Sequence, residues 1–425
     1  MPQTPACPLS ANQIRGFWAA WGGWALDGMD SFIYALVLVP ALRNLLPRSG
    51  IDATQANVGF YGGVLFAIFL AGWGFAFLWG PFADRFGRVR TLMLTILCYS
   101  LFTFLGCAAT SVWELAAFRF LAGAGIGGEW TIGGVFVAEE WPESRRQQGA
   151  AWMHTGYYFG TFLAAVVNYT VGAHYGWRAV FAVGGTPALL VAFIRYSVRE
   201  SARWQGRAGM LTARQSFLSL FSPEYRRRTL VNASLLLISM VGLWAGSAYV
   251  PSSVTYLAGR EGMSAADAAR TASWATMLLS FGTILGCLAL PALAGRLGRR
   301  GALACYFLLM FVCIALGFGY LFYLPHNPLE PFLVCLFFLG IGGANFAVYT
   351  LWLPEQYRTE CRGSAFAFAT SFGRFIAAGI TFLVGAGVSR MGTIGTPVAL
   401  TSVAFLAGLA LLLWAEETRG RELPA

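Results

Sequence analysis

Long stretches of this chain carry no ionised side chain at all. Nothing charged separates Asp52 from Asp84, Arg90 from Glu114, Arg228 from Arg260, Arg270 from Arg296, Arg300 from Glu330, or Arg390 from Glu416. A helix that crosses a bilayer needs about 20 apolar residues at a rise of about 1.5 Å each, and these runs are that long. With 57% hydrophobic and 11% charged residues over 425 positions, there are too few polar side chains to cover a water-soluble globule. Adding the apolar blocks that hold isolated charges, the pattern predicts helices over 17–42, 57–80, 91–112, 114–138, 149–172, 177–197, 229–258, 272–294, 301–324, 331–353, 363–389 and 396–415.

Arginine sets the orientation, because loops left inside a cell retain positive charge. All 29 basic residues are arginine, so lysine bases and Schiff-base chemistry are excluded and a buried cation keeps its charge. With the N-terminus inside, twenty-one arginines fall on the inner side, six on the outer side, and Arg119 and Arg374 within helices. A multi-pass protein of the inner (plasma) membrane with both termini cytoplasmic is expected. The net charge of +10 is not gathered into a patch with interleaved aromatics, which argues against a nucleic-acid partner. Residues 1–16 lack the pattern of a cleaved signal, so the first helix is expected to be retained. The cysteines (Cys7, Cys98, Cys107, Cys287, Cys305, Cys313, Cys335, Cys361) form no CxxC pair or Cys/His cluster. They read as small core residues, with no metal and no cofactor expected.

An internal repeat divides the chain. Gly125-Ile126-Gly127-Gly128 returns 215 residues later as Gly340-Ile341-Gly342-Gly343, and each copy is followed by a glutamate, Glu139 or Glu355. Phe159-Gly160-Thr161-Phe162 returns after 213 residues as Phe372-Gly373-Arg374-Phe375, and the basic turn at Gly87 returns after 211 at Gly298. Registers that agree this closely mark a duplication. The expected fold is an all-α membrane protein of twelve transmembrane helices in two pseudo-symmetric six-helix bundles. Its N-terminal half is 1–198, a cytoplasmic linker is 199–228, and its C-terminal half is 229–425.

Gly80-Pro81-Phe82-Ala83-Asp84-Arg85-Phe86-Gly87-Arg88-Val89-Arg90, between the second and third helices, resembles the loop signature of the major facilitator superfamily. Arg119 followed by Gly123, Gly125 and Gly127, then Arg199-Glu200-Ser201, then Glu416-Glu417-Thr418-Arg419-Gly420-Arg421 extend the resemblance over essentially the whole chain. Leu26-Asp27-Gly28-Met29-Asp30 is similar to the helix-one pattern of bacterial acid:proton symporters, with Met29 in place of the usual aromatic residue. Gly127-Gly128-Glu129-Trp130 and Leu353-Pro354-Glu355-Gln356-Tyr357-Arg358-Thr359 resemble the sialate, metabolite and fungal-type lactate symporters. In the second of these, Arg358-Thr359-Glu360 departs from the usual Pro-Thr-Arg.

An ionisable group at membrane depth costs several kcal/mol or more unless it faces a cavity or a partner, so each is a functional candidate. Asp27 and Asp30 share one helical face with Tyr34. Asp30 lies roughly 15 Å, and Arg119 roughly 8 Å, below the outer end of its helix, depths that allow a pair. The resemblance implies Asp30 as proton carrier and Arg119 as its partner, as in sugar:proton symporters; a permanent, helix-orienting bridge is the plainer reading. Arg374 falls near the bilayer centre without an acidic partner in its own half. A guanidinium there fits a carboxylate bidentately, while capping or bonding to carbonyls would be a structural use. Arg119 stands where the tenth helix has Val334 and Arg374 where the fifth has Thr161, so both cations break the symmetry of the repeat. His154 shares a face with Tyr157, Tyr158 and Thr161, Trp130 lies on the face of Arg119, and Trp130 and Asn345 hold equivalent repeat positions. Glu129 points away and is a secondary candidate.

The expected proton-coupling set is Asp27, Asp30 and Arg119, and the expected substrate-binding set is Arg374, Arg119, Tyr34, Trp130, His154, Tyr157 and Asn345. Asp84, Arg85, Arg88, Glu139 and Arg299 form an expected cytoplasmic gate, or simply positive charge held inside by insertion rules. The run Gly123-Ala124-Gly125-Ile126-Gly127-Gly128 matches a dinucleotide fingerprint, but it lies inside a membrane helix with no strand before it and reads as a packing surface. No enzyme chemistry is expected. Expected instead is a proton-coupled symporter of a small organic anion, a monocarboxylate such as lactate or a sugar acid, working as a monomer in the lipid bilayer. A proton-coupled sugar or drug transporter, or a membrane enzyme, are the alternatives.

Overall fold

The computed structural model describes residues 8–206, 211–242 and 249–424. Cys7 and Arg207 lie outside them; the seven remaining cysteines are free thiols. Every described element is helical. The first helix, Ala11–Arg48, opens on a capping box at Ser10 and Gln13. It bends by 47° between its segments Ala11–Tyr34 and Leu36–Arg48. Pro40 lies four residues beyond the start of the second segment, where its ring removes a hydrogen bond to the Leu36 carbonyl.

The second span runs from Gln55–Gly74 through the tight turn Phe75–Leu78 into Trp79–Phe86, and the third and fourth are Arg88–Leu105 and Val112–Glu140. Arg146–Val167 is the fifth, and Ala173–Val183 with Ala188–Ser197 the sixth. The seventh span is described as Arg226–Gly242 and Val250–Arg260. Ala265–Gly319 turns at Gly298, where φ is 78°, and so contributes two spans, the eighth and ninth. The tenth is Leu329–Gly343 with Asn345–Trp352, the eleventh Arg362–Met391, and the twelfth Gly395–Leu400 with Val403–Leu411. These are twelve transmembrane helices in two six-helix bundles.

Six described stretches are long and apolar enough to cross a bilayer on composition alone, and Arg270–Tyr323, which turns at Gly298, is one of them. The two segments of the first span, Ala11–Tyr34 and Leu36–Arg48, meet the same test when taken together.

Glycine decides how closely the spans approach. A Cβ at Gly72 would overlap the carbonyl oxygen of Phe120, and one at Gly123 that of Phe69, so the second and fourth spans touch backbone to backbone. The C-terminal half repeats the device with Gly282 against Phe337 and Gly340 against Leu279. Gly123 therefore belongs to a helix-packing surface. The first and fifth spans meet in the same way, Gly28 against the Tyr157 carbonyl and Gly160 against that of Ala25.

Between the halves, residues 199–228 hold the short helices Ala202–Gln205 and Ala213–Ser219. Trp204 donates to the Asp84 carbonyl at 2.9 Å, and Ser216 to the Glu360 carbonyl at 2.8 Å. The segment thus touches both bundles. The first and last described residues lie on this side, where Asn12 meets Glu140 and Arg362 meets the Pro424 carbonyl. We call it the terminal face.

Gly160→Val places methyl groups where the Ala25 carbonyl sits and should separate the first and fifth spans. The expected outcome is a sharp loss of folded protein, read as monodisperse yield and melting temperature in detergent, with Gly379→Ala, in open space, unaffected.

Candidate functional site

A cavity of about 430 Å³ lies between the two bundles near mid-depth. Its walls come from both halves and are mainly aromatic, with Trp24, Phe69, Trp73, Trp130, Tyr157 and Phe346 prominent. Hydroxyl groups enter from Ser31, Tyr158, Thr161, Thr276, Ser280 and Thr283. Among the described lining residues, Arg374 is the one permanent cation. Its guanidinium carbon stands 4.3 Å from the centre of the Trp73 ring, and its Nη1 has no hydrogen-bond partner. The aromatic face supports the charge from one side and leaves donors free on the other.

Of the expected substrate-binding residues, Arg374, Trp130, His154 and Tyr157 line this cavity. Trp130 stacks on Trp24 at 5.8 Å and donates across the halves to Thr350 at 2.8 Å, which makes it part of the floor toward the terminal face. His154 sits among Trp24, Trp130 and Phe346, its ring parallel to that of Phe346 within 7°. Arg119, Tyr34 and Asn345 are not in the lining. Arg119 is enclosed by Tyr34, Phe69 and Phe181 at 5.0–5.5 Å. Although it shares a helical face with Trp130, eleven residues separate the two by about 16 Å along the axis. Tyr34 belongs to the same enclosure. Asn345 donates back to the Gly342 carbonyl at 2.9 Å, bridging the break in the tenth span.

The buried carboxylates differ in their partners. Asp30 meets Arg119 Nη2 through both oxygens at 3.3 and 3.4 Å, and the same nitrogen donates to Thr103 at 2.9 Å. Glu129 accepts from Thr95 at 2.7 Å, a partner on the third span. Neither oxygen of Asp27 has a hydrogen bond, although the side chain is fully buried.

On the terminal face, the repeat becomes a charge network. Arg88 bonds Asp84 at 2.9 Å and Glu139 at 3.0 Å, and Glu139 also accepts from Arg362 of the other half at 2.7 Å. The second copy mirrors it, with Arg299 on Glu355 at 2.7 Å and Arg146 of the first half 3.7 Å from Glu355. Each glutamate therefore holds one arginine from each bundle. Glu200 accepts from the backbone of Arg88 and Val89, as Glu417 does from Arg299 and Arg300, so each helix that follows the turn is capped by a carboxylate. Asp84 breaks the symmetry. It accepts from the backbone of Gly363 and Ser364 at 3.0 and 2.8 Å, binding the start of the eleventh span, whereas Gly295 stands at its repeat position. Arg85, expected in the gate, is exposed, whereas Asp84 and Arg88 on either side of it are buried in the charge network. Arg146, Arg362 and Trp73 were not singled out by sequence reasoning. The signal for the arginines was present, since Arg362 follows Arg146 by 216 residues; for Trp73 there was none beyond its apolar run.

The sequence profile of the Major Facilitator Superfamily matches residues 20–375. A probable 4-methylmuconolactone transporter of Cupriavidus pinatubonensis is 31% identical over 97% of this chain and 92% of its own length. A niacin transporter of Acinetobacter baylyi is 26% identical over 98% of this chain and 97% of its own length. Among solved structures, a proton:xylose symporter bound to 6-bromo-6-deoxy-D-glucose superposes with a TM-score of 0.80 at 18% identity, covering 98% of both chains.

Glu139→Gln removes the acceptor shared by two buried arginines, and breaking a buried pair costs about 3–5 kcal/mol. The terminal face should open, and Cys361, buried beside it at 1% exposure, should react faster with a maleimide by mass spectrometry; an unchanged rate counts against the gate. Burial raises the Glu417 carboxyl, but hydrogen bonds from the backbone of Arg299, Arg300, Arg419 and Thr418 outweigh this and hold it below the usual range. A lowered folded value gives stability that is present above the ordinary glutamate value of about 4.3 and lost as pH falls through the folded one. Melting temperature should fall over that acidic window, and by less in Glu417→Gln.

Proposed function

Because the chain belongs to the Major Facilitator Superfamily, and is a membrane transporter rather than an enzyme, we propose that it takes up a small organic anion together with a proton by alternating access. The observation that carries this reading is Arg374, a buried guanidinium with a free Nη1 at the wall of an otherwise uncharged cavity. A permanent cation in low dielectric calls for an anion, and a substrate carboxylate supplies one with matching fork geometry. Relatives named for 4-methylmuconolactone and niacin support a small organic acid.

Within that class the substrate is a monocarboxylate. The aromatic walls favour a flat, ring-bearing acid over lactate, which has little apolar surface to bury, and over a sugar acid, whose hydroxyls would need more partners than the lining offers. The cluster of Asp27, Asp30 and Arg119 carries the proton and couples it to the anion. Inter-half hydrogen bonds and ion pairs among the described residues gather at the terminal face and the cavity floor. At the opposite ends they stay within a half, as between Arg178 and Ala109 or Arg260 and Phe322. This supports a state open away from the termini. With the arginine distribution, it supports cytoplasmic termini, an inner-membrane location and an outward-facing cavity. Residues 199–228 act as the linker between halves 1–198 and 229–425, and the protein works as a monomer.

Proteoliposomes with an inward proton gradient should accumulate a ring-bearing monocarboxylate, and an uncoupler should abolish the accumulation. Truncating one partner of a buried charge pair costs about 2–5 kcal/mol, so Arg374→Ala should weaken anion binding by about 30-fold or more. Indifference to every acid offered, or equally tight binding by Arg374→Ala, would overturn the assignment; gradient-driven uptake of a neutral sugar would favour the sugar-transporter reading.

A further inference from the structure

Each half of the molecule is followed by a similar polar segment. Residues 199–205 follow the sixth span and residues 415–424 the twelfth, and Arg199-Glu200-Ser201 is matched 217 positions later by Glu416-Glu417-Thr418. Each segment is fastened to its own half. Glu200 accepts from the backbone of Arg88 and Val89, Ala202 donates its N–H to Glu140 at 3.2 Å, and Trp204 donates to the Asp84 carbonyl at 2.9 Å. In the other half, Glu417 accepts from the backbone of Arg299 and Arg300 at 3.0 Å. Beside it Thr418 donates to Glu355 at 2.5 Å, and Trp352 to the Glu416 carbonyl at 3.0 Å.

Beyond Thr418 the second segment turns. Gly420 takes φ 76°, a value that a side chain would strain, and Arg421 donates its N–H to the Thr418 carbonyl at 3.0 Å. The turned chain lies over the seam between the halves. There Arg203 donates to the Leu423 carbonyl at 3.2 Å, and Arg362 donates to the next carbonyl, that of Pro424, at 2.7 Å. The same Arg362 guanidinium bonds Glu139 of the first half at 2.7 Å. Leu423 is the one large apolar side chain in residues 416–424, and it is 4% exposed. Burying it in an otherwise polar stretch gives the segment a seat as well as two hydrogen bonds.

We propose that residues 199–205 and 415–424 form a clasp over the terminal face, joined through Arg203 and Leu423, whose strength sets how readily that face opens. The two segments are anchored to different halves, so the clasp must part whenever the bundles separate on this side. A contact that exists in one of two states shifts their balance by its own free energy. The clasp therefore holds the protein in the state open away from the termini, and its release accompanies delivery to the terminal side. It lies outside the spans, so it acts in addition to the ion pairs at Glu139 and Glu355. This rests on the alternating-access reading.

The test is timed reaction of the purified full-length protein with a maleimide, each thiol followed separately by mass spectrometry. Cys361 is buried at the terminal face. Cys287 is fully buried beside Tyr158 of the fifth span, about 16 Å along the eighth span from the turn at Gly298. Arg203 is exposed, so Arg203→Ala leaves the spans intact, and it should speed both thiols about threefold. Leu423→Ala should speed both tenfold or more, and the double variant should go no further, because both substitutions act on one clasp. Arg227→Ala, which removes another exposed arginine, should change neither rate. Acceleration of Cys361 alone means that the segment only covers that thiol, and it overturns the inference, as do additive effects or equal acceleration in Arg227→Ala. Glu139→Gln separates this inference from the reading beneath it. If Glu139→Gln speeds both thiols while the clasp variants speed neither, the clasp alone is wrong. If none of these variants speeds either thiol, opening of the terminal face is wrong and the clasp falls with it.

Discussion

A charge taken out of water has to be answered inside the protein, and most of this molecule is arranged around that requirement. At the terminal face, Glu139 and Glu355 each gather arginines from both bundles, and Asp84 caps the start of the eleventh span. Deeper in, Asp30 and Arg119 answer each other. What remains is a small set of incompletely satisfied groups, among them Asp27, fully buried in the first span, and Arg374, which lines the central cavity. A fully satisfied network rigidifies, whereas an incomplete one is where a ligand or a proton changes the balance.

Duplication supplies the frame and asymmetry supplies the chemistry. The glycine contacts between the second and fourth spans recur between the eighth and tenth, and the carboxylate caps at Glu200 and Glu417 recur likewise. Such repeated contacts let two similar bundles meet across a central cavity. Arg374 and the pair of Asp30 with Arg119 have no counterpart across the repeat. A site with perfect internal symmetry would offer the same group from both sides, whereas Arg374 enters this cavity from one half.

The cavity and the gate are mechanically continuous. Trp130 belongs to the cavity wall yet donates to Thr350 across the halves, and the same helix ends at Glu139 in the charge network. Close backbone packing at Gly123 and Gly72 gives this helix little freedom to slide against its own bundle. Any displacement of this helix against the other half therefore carries its bundle with it.

Much of this was legible in one dimension. Helix number, the duplication, and the inventory of buried charges followed from apolar length, repeat offset and the cost of an ion in lipid, all of which are properties of residues taken in order. Asp84, Arg88, Glu139 and Arg299 announced themselves by sitting in repeated turns. Only the packing decided which charges met. Arg119 and Tyr34 turned inward to an enclosure, Asn345 bonded its own helix, Arg85 faced outward, and Trp73 came under Arg374. Contacts between helices depend on their rotation and crossing, and those are set by glycine approaches and side-chain volumes summed over the whole bundle. Spacing along a single helix gives a face and a depth, but it does not say what the neighbouring helix presents there.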